Sequence, residues 1–406
     1  MKNFLSTYPV PAKLQNEVTD DIEVLNVNGH IHTPYSFSAF QNISEAFSIA
    51  KKENIHILGI NDFSTTKGYG EFHDQAVKNK IFPLFNIEFM GLLQKEQVNN
   101  IRINDPSNPG RIYFCGKGLS YSRIEEEKNK KLIEVNTYSN EQTRQMLEIV
   151  NILLNNIDSP FILSFEEIQN KYSKGLVRER HLAKVLRIKI FEEFPQLEER
   201  KKFLNKLYSG KESSVENNKI IPLENEIRSM LLKKGGKAFV PESEKAFLAL
   251  DEAIKIILEK KGIPCYPVLL DYNNGDFTEM EKDFKSLYNK LIENNVYAVE
   301  LIPSRNEIKY LRDFVNFFWN KKFLVLFGTE HNNSEMVPLS ISTKDSEIDE
   351  TMKRISFESA CVIAAHQYLN AIGKEGYINK NGKAKFEEMN NFISLGKRVL
   401  NKFFQN

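Results

Sequence analysis

Residues 26–37 read Asn-Val-Asn-Gly-His-Ile-His-Thr-Pro-Tyr-Ser-Phe, with His30 and His32 two positions apart at the end of an apolar run. In an extended strand, residues at i and i+2 point to the same face, about 6.5 Å apart along the backbone. Two imidazoles on one face, just before a Thr-Pro turn, can converge on one metal ion. A pair of partly buried histidines bonded to backbone carbonyls is the alternative, and this short pattern alone does not separate the two.

Short apolar runs alternate with helical periods around this stretch. Seven runs have the composition of strands: 24–32, 55–62, 81–89, 111–116, 263–270, 296–302 and 323–328. Such alternation is typical of parallel βα units whose helices cover both faces of the sheet. The sequence therefore predicts an α/β protein with a parallel sheet closed into a barrel.

This alternation is interrupted once. From about residue 124 to 257 the chain is charged, helix-periodic and poor in strand signals, and further helical periods follow the last strand. We predict four regions: the first part of a barrel over residues 1–123, a helical insertion over 124–257, the second part of the barrel over 258–346, and a C-terminal helical extension over 347–406.

Composition argues against several classes of partner. The 406 residues carry a net charge of only +1, so no global field favours nucleic acid or an anionic membrane. Three widely spaced cysteines, Cys115, Cys265 and Cys361, fit a reducing compartment better than a disulfide framework. There is no apolar run of about 18 residues and no glycine-rich phosphate loop. We expect a cytoplasmic protein with a small-molecule substrate and no nucleic-acid or membrane partner, and the oligomeric state stays open.

Polar side chains gather where the predicted strands end. In strand order they are His30 and His32, Asn61 and Asp62, Asn86 and Glu88, Tyr113 and Cys115, Cys265 to Pro267, Glu300, and Gly328 to Asn332. In a parallel barrel these ends share one mouth, where chemistry is usually done. Imidazoles and carboxylates collected there suit a cation such as Zn²⁺, Mn²⁺ or Fe²⁺.

The order of these motifs resembles that of the PHP (polymerase and histidinol phosphatase) superfamily over about residues 25–335. The matching stretches are His30-Ile-His32-Thr-Pro-Tyr-Ser36, Gly59-Ile-Asn-Asp62, Asn86-Ile-Glu88, Gly328-Thr-Glu330-His331 and, in the insertion, Arg178-Glu-Arg-His181-Leu-Ala183 and Ala238-Phe-Val240-Pro241. The resemblance implies a distorted (β/α)7 barrel, up to three divalent metals and water-driven cleavage of phosphate esters.

The chain departs from the family pattern at four places. Phe63 and Tyr113 stand where the family has histidines, Cys265-Tyr266-Pro267 replaces Ala-His-Pro, and Glu330-His331-Asn332 replaces Asp-x-His. The ligand set implied by the resemblance is His30, His32, Glu88 and Glu330, and His331 belongs to a further site or replaces Glu330. With so many ligands lost, one divalent ion is expected, and two is the alternative.

Further roles follow from the chemistry of residues near the expected mouth. Asp62 is expected to orient a ligand histidine, and Tyr113 and Tyr266 are expected to donate hydrogen bonds to the substrate. Five cationic or imidazole side chains are candidate substrate ligands: Arg102, Arg111, Arg178, Arg180 and His181. The alternative for the arginines is an ordinary salt bridge on a loop or a solvated helix face.

Three functions remain compatible with the sequence. The first is a metal-dependent hydrolase, a phosphoesterase that cleaves a small phosphorylated metabolite with a metal-activated water. The second keeps a single metal but acts on a non-phosphate, carbohydrate-like substrate. The third is a non-catalytic binding or scaffold protein on a degenerate barrel.

Overall fold

The computed structural model of the chain describes residues 3–121, 129–271 and 275–405. Seven strands form one sheet in sequence order: β1 Val27–Ile31, β2 Ile57–Phe63, β3 Phe82–Leu92, β4 Arg111–Lys117, β5 Ile263–Val268, β6 Ala298–Leu301 and β7 Leu324–Phe327. The end of β1 also pairs with the segment after β7, because Ile31 bridges Glu330 and the His32 N–H donates to the Glu330 carbonyl at 2.7 Å. The sheet therefore closes into the seven-stranded barrel that the sequence predicts.

One strand runs against the expected direction. The sequence pattern favours parallel strands throughout, but β4 is antiparallel to both β3 and β5. The connection from β3 to β4, residues 93–110, is long enough for a parallel crossover but contains only the short helix α4 (Gln94–Val98), whereas such crossovers usually contain a longer helix. The reversed strand makes the barrel irregular at β4.

The other helices surround and cap the barrel. In chain order they are α1 Pro11–Glu17, α2 Ile43–Lys52, α3 Tyr69–Asn79, α5 Lys130–Asn155, α6 Phe165–Ile168, α7 Glu179–Glu193, α8 Leu197–Leu207, α9 Ile220–Ile227, α10 Leu250–Glu259, α11 Phe284–Glu293, α12 Ile308–Asn320, α13 Glu350–Ala371 and α14 Met389–Gln405. Several begin at a side-chain cap. Asn42, for example, accepts a hydrogen bond from the Glu45 N–H at 2.9 Å at the start of α2.

Strand alternation sorts the side chains into two cores. Outward residues such as Leu58 and Phe85 pack with the surrounding helices in one buried cluster. Inward residues such as Ile57 and Leu84 pack with α13 and α14 in another, so these two helices close the end where the parallel strands begin. The site must therefore be reached from the opposite end.

The helices between β4 and β5 have an apolar core of their own, built from residues between Met146 and Ala238. They meet the barrel at the loop after β1, where the His181 ring lies 4.8 Å from that of Phe37 and Lys174 sits over the Tyr35 ring. We call the segment 129–246 the arm. It lies beside the mouth of the barrel, and the regional boundaries given above stay predictions.

Within the described ranges, the helices are all too short or too polar to cross a lipid bilayer.

Candidate metal centre

The direction of the two histidines depends on an irregularity in β1. Asn28 pairs with Leu58 and Ile31 with Ile60, so β1 holds one residue more than β2 over the same length. Such a bulge re-aims the side chains that follow it. Asn28 faces outward with Leu58, whereas His30 and His32 both point into the barrel.

Two glycines make the space for this arrangement. A Cβ at position 59 would lie 2.2 Å from the Gly29 carbonyl oxygen, and one at position 328 would lie 2.3 Å from the Cβ of His30. Neither approach is compatible with a side chain. Gly59 and Gly328 therefore let β1 come close to its neighbours on both sides.

Three buried donor atoms form a compact triangle inside the barrel. Two come from the carboxyl end of β1 and one comes from β3. The His30 Nε2 and His32 Nε2 atoms are 3.2 Å apart, and Glu88 Oε2 lies 3.5 Å from the first and 3.2 Å from the second. Tetrahedral Zn²⁺ with bonds of about 2.0–2.1 Å separates its ligand atoms by about 3.3–3.4 Å. The triangle has the dimensions of one face of such a site.

A hydrogen bond sets the tautomer of His32, and a carboxylate lies beside the ring of His30. Ser36 Oγ donates to Asp62 at 2.6 Å and accepts from His32 Nδ1 at 3.0 Å, while His30 Nδ1 lies 3.1 Å from Glu300 Oε1 without forming a hydrogen bond to it. In the neutral tautomers that these contacts favour, both Nε2 atoms carry a lone pair toward the third donor, Glu88 Oε2.

Three lone-pair atoms so close together repel one another unless a cation or a proton lies between them, although the Asn61 amide nitrogen also lies 3.0 Å from His30 Nε2. Glu88 Oε2 is buried and has no hydrogen-bond partner among the described residues. Burial alone would lower the pKa of His30, but the Glu300 and Glu88 carboxylates outweigh it and raise that pKa to about 9. The cluster attracts positive charge, and its donor set fits a divalent metal ion.

A buried ion pair adjoins the triangle. Lys117 Nζ lies 2.5 Å from Glu300 Oε2 and 3.1 Å from Asn61 Oδ1, and these three side chains are almost completely buried. Burial alone would raise the pKa of Glu300, but Lys117 and His30 hold it far below its usual range. His30, Cys115 and Glu300 also bring donor atoms within 4.8 Å of one another, which makes a second candidate grouping that shares His30.

Asp62 and Tyr113 lie near the triangle. Asp62 accepts from the Thr33 N–H at 2.7 Å as well as from Ser36, so it anchors the loop after β1 and reaches His32 through one hydroxyl. Burial and the Asp105 carboxylate raise the pKa of Tyr113 to about 12, so its phenol stays protonated at neutral pH. Phe63 stacks on the His32 ring with centroids 4.7 Å apart.

Glu330 and His331 use their polar groups elsewhere. The Glu330 backbone supports β1, while its carboxylate pairs with Arg305. Both nitrogens of His331 are engaged, Nδ1 with Thr329 Oγ1 and Nε2 with the Val337 carbonyl, each at 2.9 Å. Neither residue belongs to the groups of three metal-ligand atoms found among the described residues.

Two other candidates point away from the triangle. The Tyr266 hydroxyl donates to Glu281 at 2.8 Å, and Tyr266 packs in the outer core between barrel and helices. Arg102 is held by Glu279 at 2.8 Å and by Asp276 at 3.2 Å. Both side chains are therefore engaged by carboxylates away from the triangle.

The remaining cationic candidates lie between the arm and the mouth. Arg111 and Arg178 share the Glu242 carboxylate. Arg180 has no ion pair among the described residues, and burial and the neighbouring Arg228 charge lower its pKa, while Glu179 and Glu330 oppose that change. His181 accepts from the Arg178 N–H at 3.0 Å, and burial lowers its pKa to about 3, so the ring is neutral.

Sequence reasoning overlooked the ion pair. The sequence places Glu300, Asn61 and Cys115 at predicted strand ends without indicating a role for them, and it singles out no role for Lys117. The signal was available in β4: Tyr113, Cys115 and Lys117 alternate, so all three share the inward face.

The link from Ser36 to His32 can be tested by itself. We expect Ser36→Ala to weaken zinc binding by about 10–100-fold, because partners that orient ligand imidazoles typically contribute that much. The dissociation constant can be measured by competition with a fluorescent chelator. Ser359→Ala is the matched control, since its hydroxyl also accepts a buried hydrogen bond, from the Val325 N–H at 2.9 Å, and it lies on α13, which supplies no atom of the triangle. Equal dissociation constants for Ser36→Ala and Ser359→Ala would contradict the role given to Ser36.

Comparison with known proteins gives likenesses of fold. Neither a protein-family model nor a curated protein sequence matches the chain. One similar solved structure is a protein assigned as a metal-dependent phosphoesterase from Bifidobacterium adolescentis, with 13% identity, a TM-score of 0.49, and coverage of 82% of this chain and 96% of that chain. Another is an amidohydrolase from Chromobacterium violaceum solved with bound sulfate and no metal, with 12% identity, a TM-score of 0.47, and coverage of 76% and 88%. These likenesses concern the fold, so the chemistry of this chain has to be inferred from its own side chains.

Proposed function

We propose that this chain is a metal-dependent hydrolase, and specifically a phosphoesterase acting on a small phosphorylated metabolite. The observation that carries the proposal is the donor triangle of His30, His32 and Glu88, whose edges of 3.2–3.5 Å suit one tetrahedral ion.

The residues of the triangle would hold one divalent ion, for which Zn²⁺ is the best fit, with Mn²⁺ and Fe²⁺ as the other candidates. When bound at a site with an open position, such an ion lowers the pKa of water to near neutrality and polarises an ester oxygen. The chain itself contributes orientation. Ser36 holds His32 in the tautomer that presents Nε2, the Glu300 carboxylate lies beside His30 Nδ1, and Phe63 stacks on the His32 ring.

Charge at the mouth supports an anionic substrate. Arg111 and Arg178 are balanced by Glu242 and Asp105, but Arg180 has no ion pair in the described parts of the chain. A guanidinium binds phosphate through two parallel hydrogen bonds. Arg180 is therefore the residue we propose for the substrate phosphate, with the protonated Tyr113 as a neutral donor beside it.

The test is a panel of phosphate esters and of unphosphorylated sugars, assayed with zinc- and manganese-reconstituted protein. We expect phosphate release from at least one small ester, and we expect Arg180→Gln to raise KM for it by about 10-fold or more while bound metal stays unchanged, because a lost charge-assisted hydrogen bond costs about 1.5–3 kcal/mol. Arg144→Gln is the control, since Arg144 is an exposed arginine of the same arm paired with Glu166.

The outcomes separate the candidate functions. Activity on sugars with none on phosphate esters would replace the phosphoesterase with a hydrolase of non-phosphate substrates. Metal-replete protein that is inert on the whole panel would favour a binding protein. An equal KM for Arg180→Gln and Arg144→Gln would remove Arg180 from the substrate site.

A further inference from the structure

Lys117 is the least expected side chain in the barrel. Its exposure is 0%, and its ammonium lies inside the sheet rather than at the mouth. A lysine is almost never fully buried unless it is paired, because its charge loses the hydration of water. Here Glu300 Oε2 and Asn61 Oδ1 replace part of that hydration at 2.5 and 3.1 Å.

The neighbours of this ammonium are the groups that would otherwise bind a metal. Glu300 supplies one oxygen to Lys117 and the other to His30. Asn61 offers an amide oxygen to Lys117, and its amide nitrogen lies 3.4 Å from the Cys115 thiol. A carboxylate, an amide oxygen and a thiol around one point make a plausible donor set for a second cation, next to the first triangle.

The charges of the cluster favour the Lys117 ammonium over a second divalent ion at this position. Glu88 and Glu300 bring two negative charges, Lys117 brings one positive charge, and the two histidines are neutral as metal ligands. One divalent ion then leaves a single excess positive charge, which an anionic substrate offsets. A second divalent ion beside Lys117 would leave the enclosed cluster strongly positive, and uncompensated buried charge is costly.

We propose that the Lys117 ammonium is a permanent second cation of this centre, standing where a second divalent ion would otherwise bind, and that it limits the centre to one metal ion. The inference rests on the metal site of the proposed function but not on its substrate. Lys117 acts through Glu300 and His30, so it is a positioning residue.

The number of bound ions tests the inference without any activity assay. Chelator-treated protein is reconstituted with excess Zn²⁺, freed of unbound metal, and analysed for zinc per chain. We expect one zinc in the natural chain and two in Lys117→Ala, where the vacated space is lined by Glu300, Asn61 and Cys115. Lys117→Met is the matched control, because it removes the charge but refills the space, and it should retain one zinc.

Each result decides the matter. Two zinc ions per chain in the natural protein, or a folded Lys117→Ala that still holds one, would overturn the inference. If Lys117→Ala does not fold without metal, the recovery of folded Lys117→Ala on adding zinc remains informative, since it is expected only if an ion can replace the ammonium. A protein that binds one zinc, gains a second in Lys117→Ala and hydrolyses nothing would support this inference and refute the proposed function.

Discussion

Replacing His32 by glutamine is expected to weaken zinc binding by at least ~100-fold. Loss of a residue that only hydrogen-bonds to a metal ligand weakens binding by up to about 100-fold, and His32 is itself a ligand. His32 supplies one of three donor atoms and has no part in the Lys117–Glu300 pair, so the change removes a ligand and leaves the buried charges alone. Hydrolysis should disappear with the metal. At a zinc concentration of 100 times the natural dissociation constant, zinc should stabilise the natural chain by about 2.7 kcal/mol and the variant by only about 0.4 kcal/mol.

The natural control for this experiment is His331→Gln. His331 is the other histidine that the sequence offers as a ligand, but both of its nitrogens are engaged with Thr329 and Val337. We expect its zinc affinity to match that of the unaltered chain in titrations followed by chemical unfolding. If His331→Gln loses zinc and His32→Gln keeps it, the centre lies elsewhere in the barrel.

The sequence predicts the architecture and the core of the candidate centre because both depend on local patterns. Strand length, composition and alternation indicate seven strands, and histidines two apart at a strand end indicate a shared face. Even here the regular-strand argument is incomplete. His30 points inward because of a bulge after Asn28, and a bulge depends on pairing with β2 rather than on β1 alone.

The parts that sequence reasoning misses are set by long-range contacts. A lone lysine at the end of a strand is typical of a solvated loop, and only its partner Glu300, 183 residues further on, explains its burial. Glu330 shows the converse. It has the right residue type at the end of the right strand, yet its backbone adopts a positive φ of 66° and its side chain turns to Arg305. A one-residue change of conformation at a strand end is invisible in composition or spacing.

The direction of β4 was also outside the reach of periodicity. Alternating apolar residues indicate a strand but not its direction, and the connection from β3, residues 93–110, is long enough for either direction. The reversal has a consequence for the site. Because β4 runs from the mouth inward, its first inward residue, Tyr113, lies near the mouth, whereas its last, Lys117, lies deep in the barrel beside Glu300.

The buried pair should dominate the stability of the metal-free chain. With chelator present, we expect Lys117→Met and Glu300→Gln each to lower the free energy of unfolding by about 3–5 kcal/mol, because each leaves one buried charge without its partner. The double variant Lys117→Met/Glu300→Gln removes both charges and should be more stable than either single variant. Unfolding in urea, followed by circular dichroism, gives the three differences and hence the coupling energy.

The coupling energy of Lys117 and Glu300 must be compared with that of an exposed lysine–glutamate pair. Lys201 and Glu198 on α8, 2.8 Å apart, are such a pair. The corresponding variants, Lys201→Met and Glu198→Gln, should show no measurable coupling, since water screens the exposed charges in both states. Additive losses at Lys117 and Glu300 would mean that the two side chains matter through packing rather than through charge. The Lys117 ammonium would then not stabilise the Glu300 carboxylate electrostatically, and that carboxylate could bind a metal ion directly.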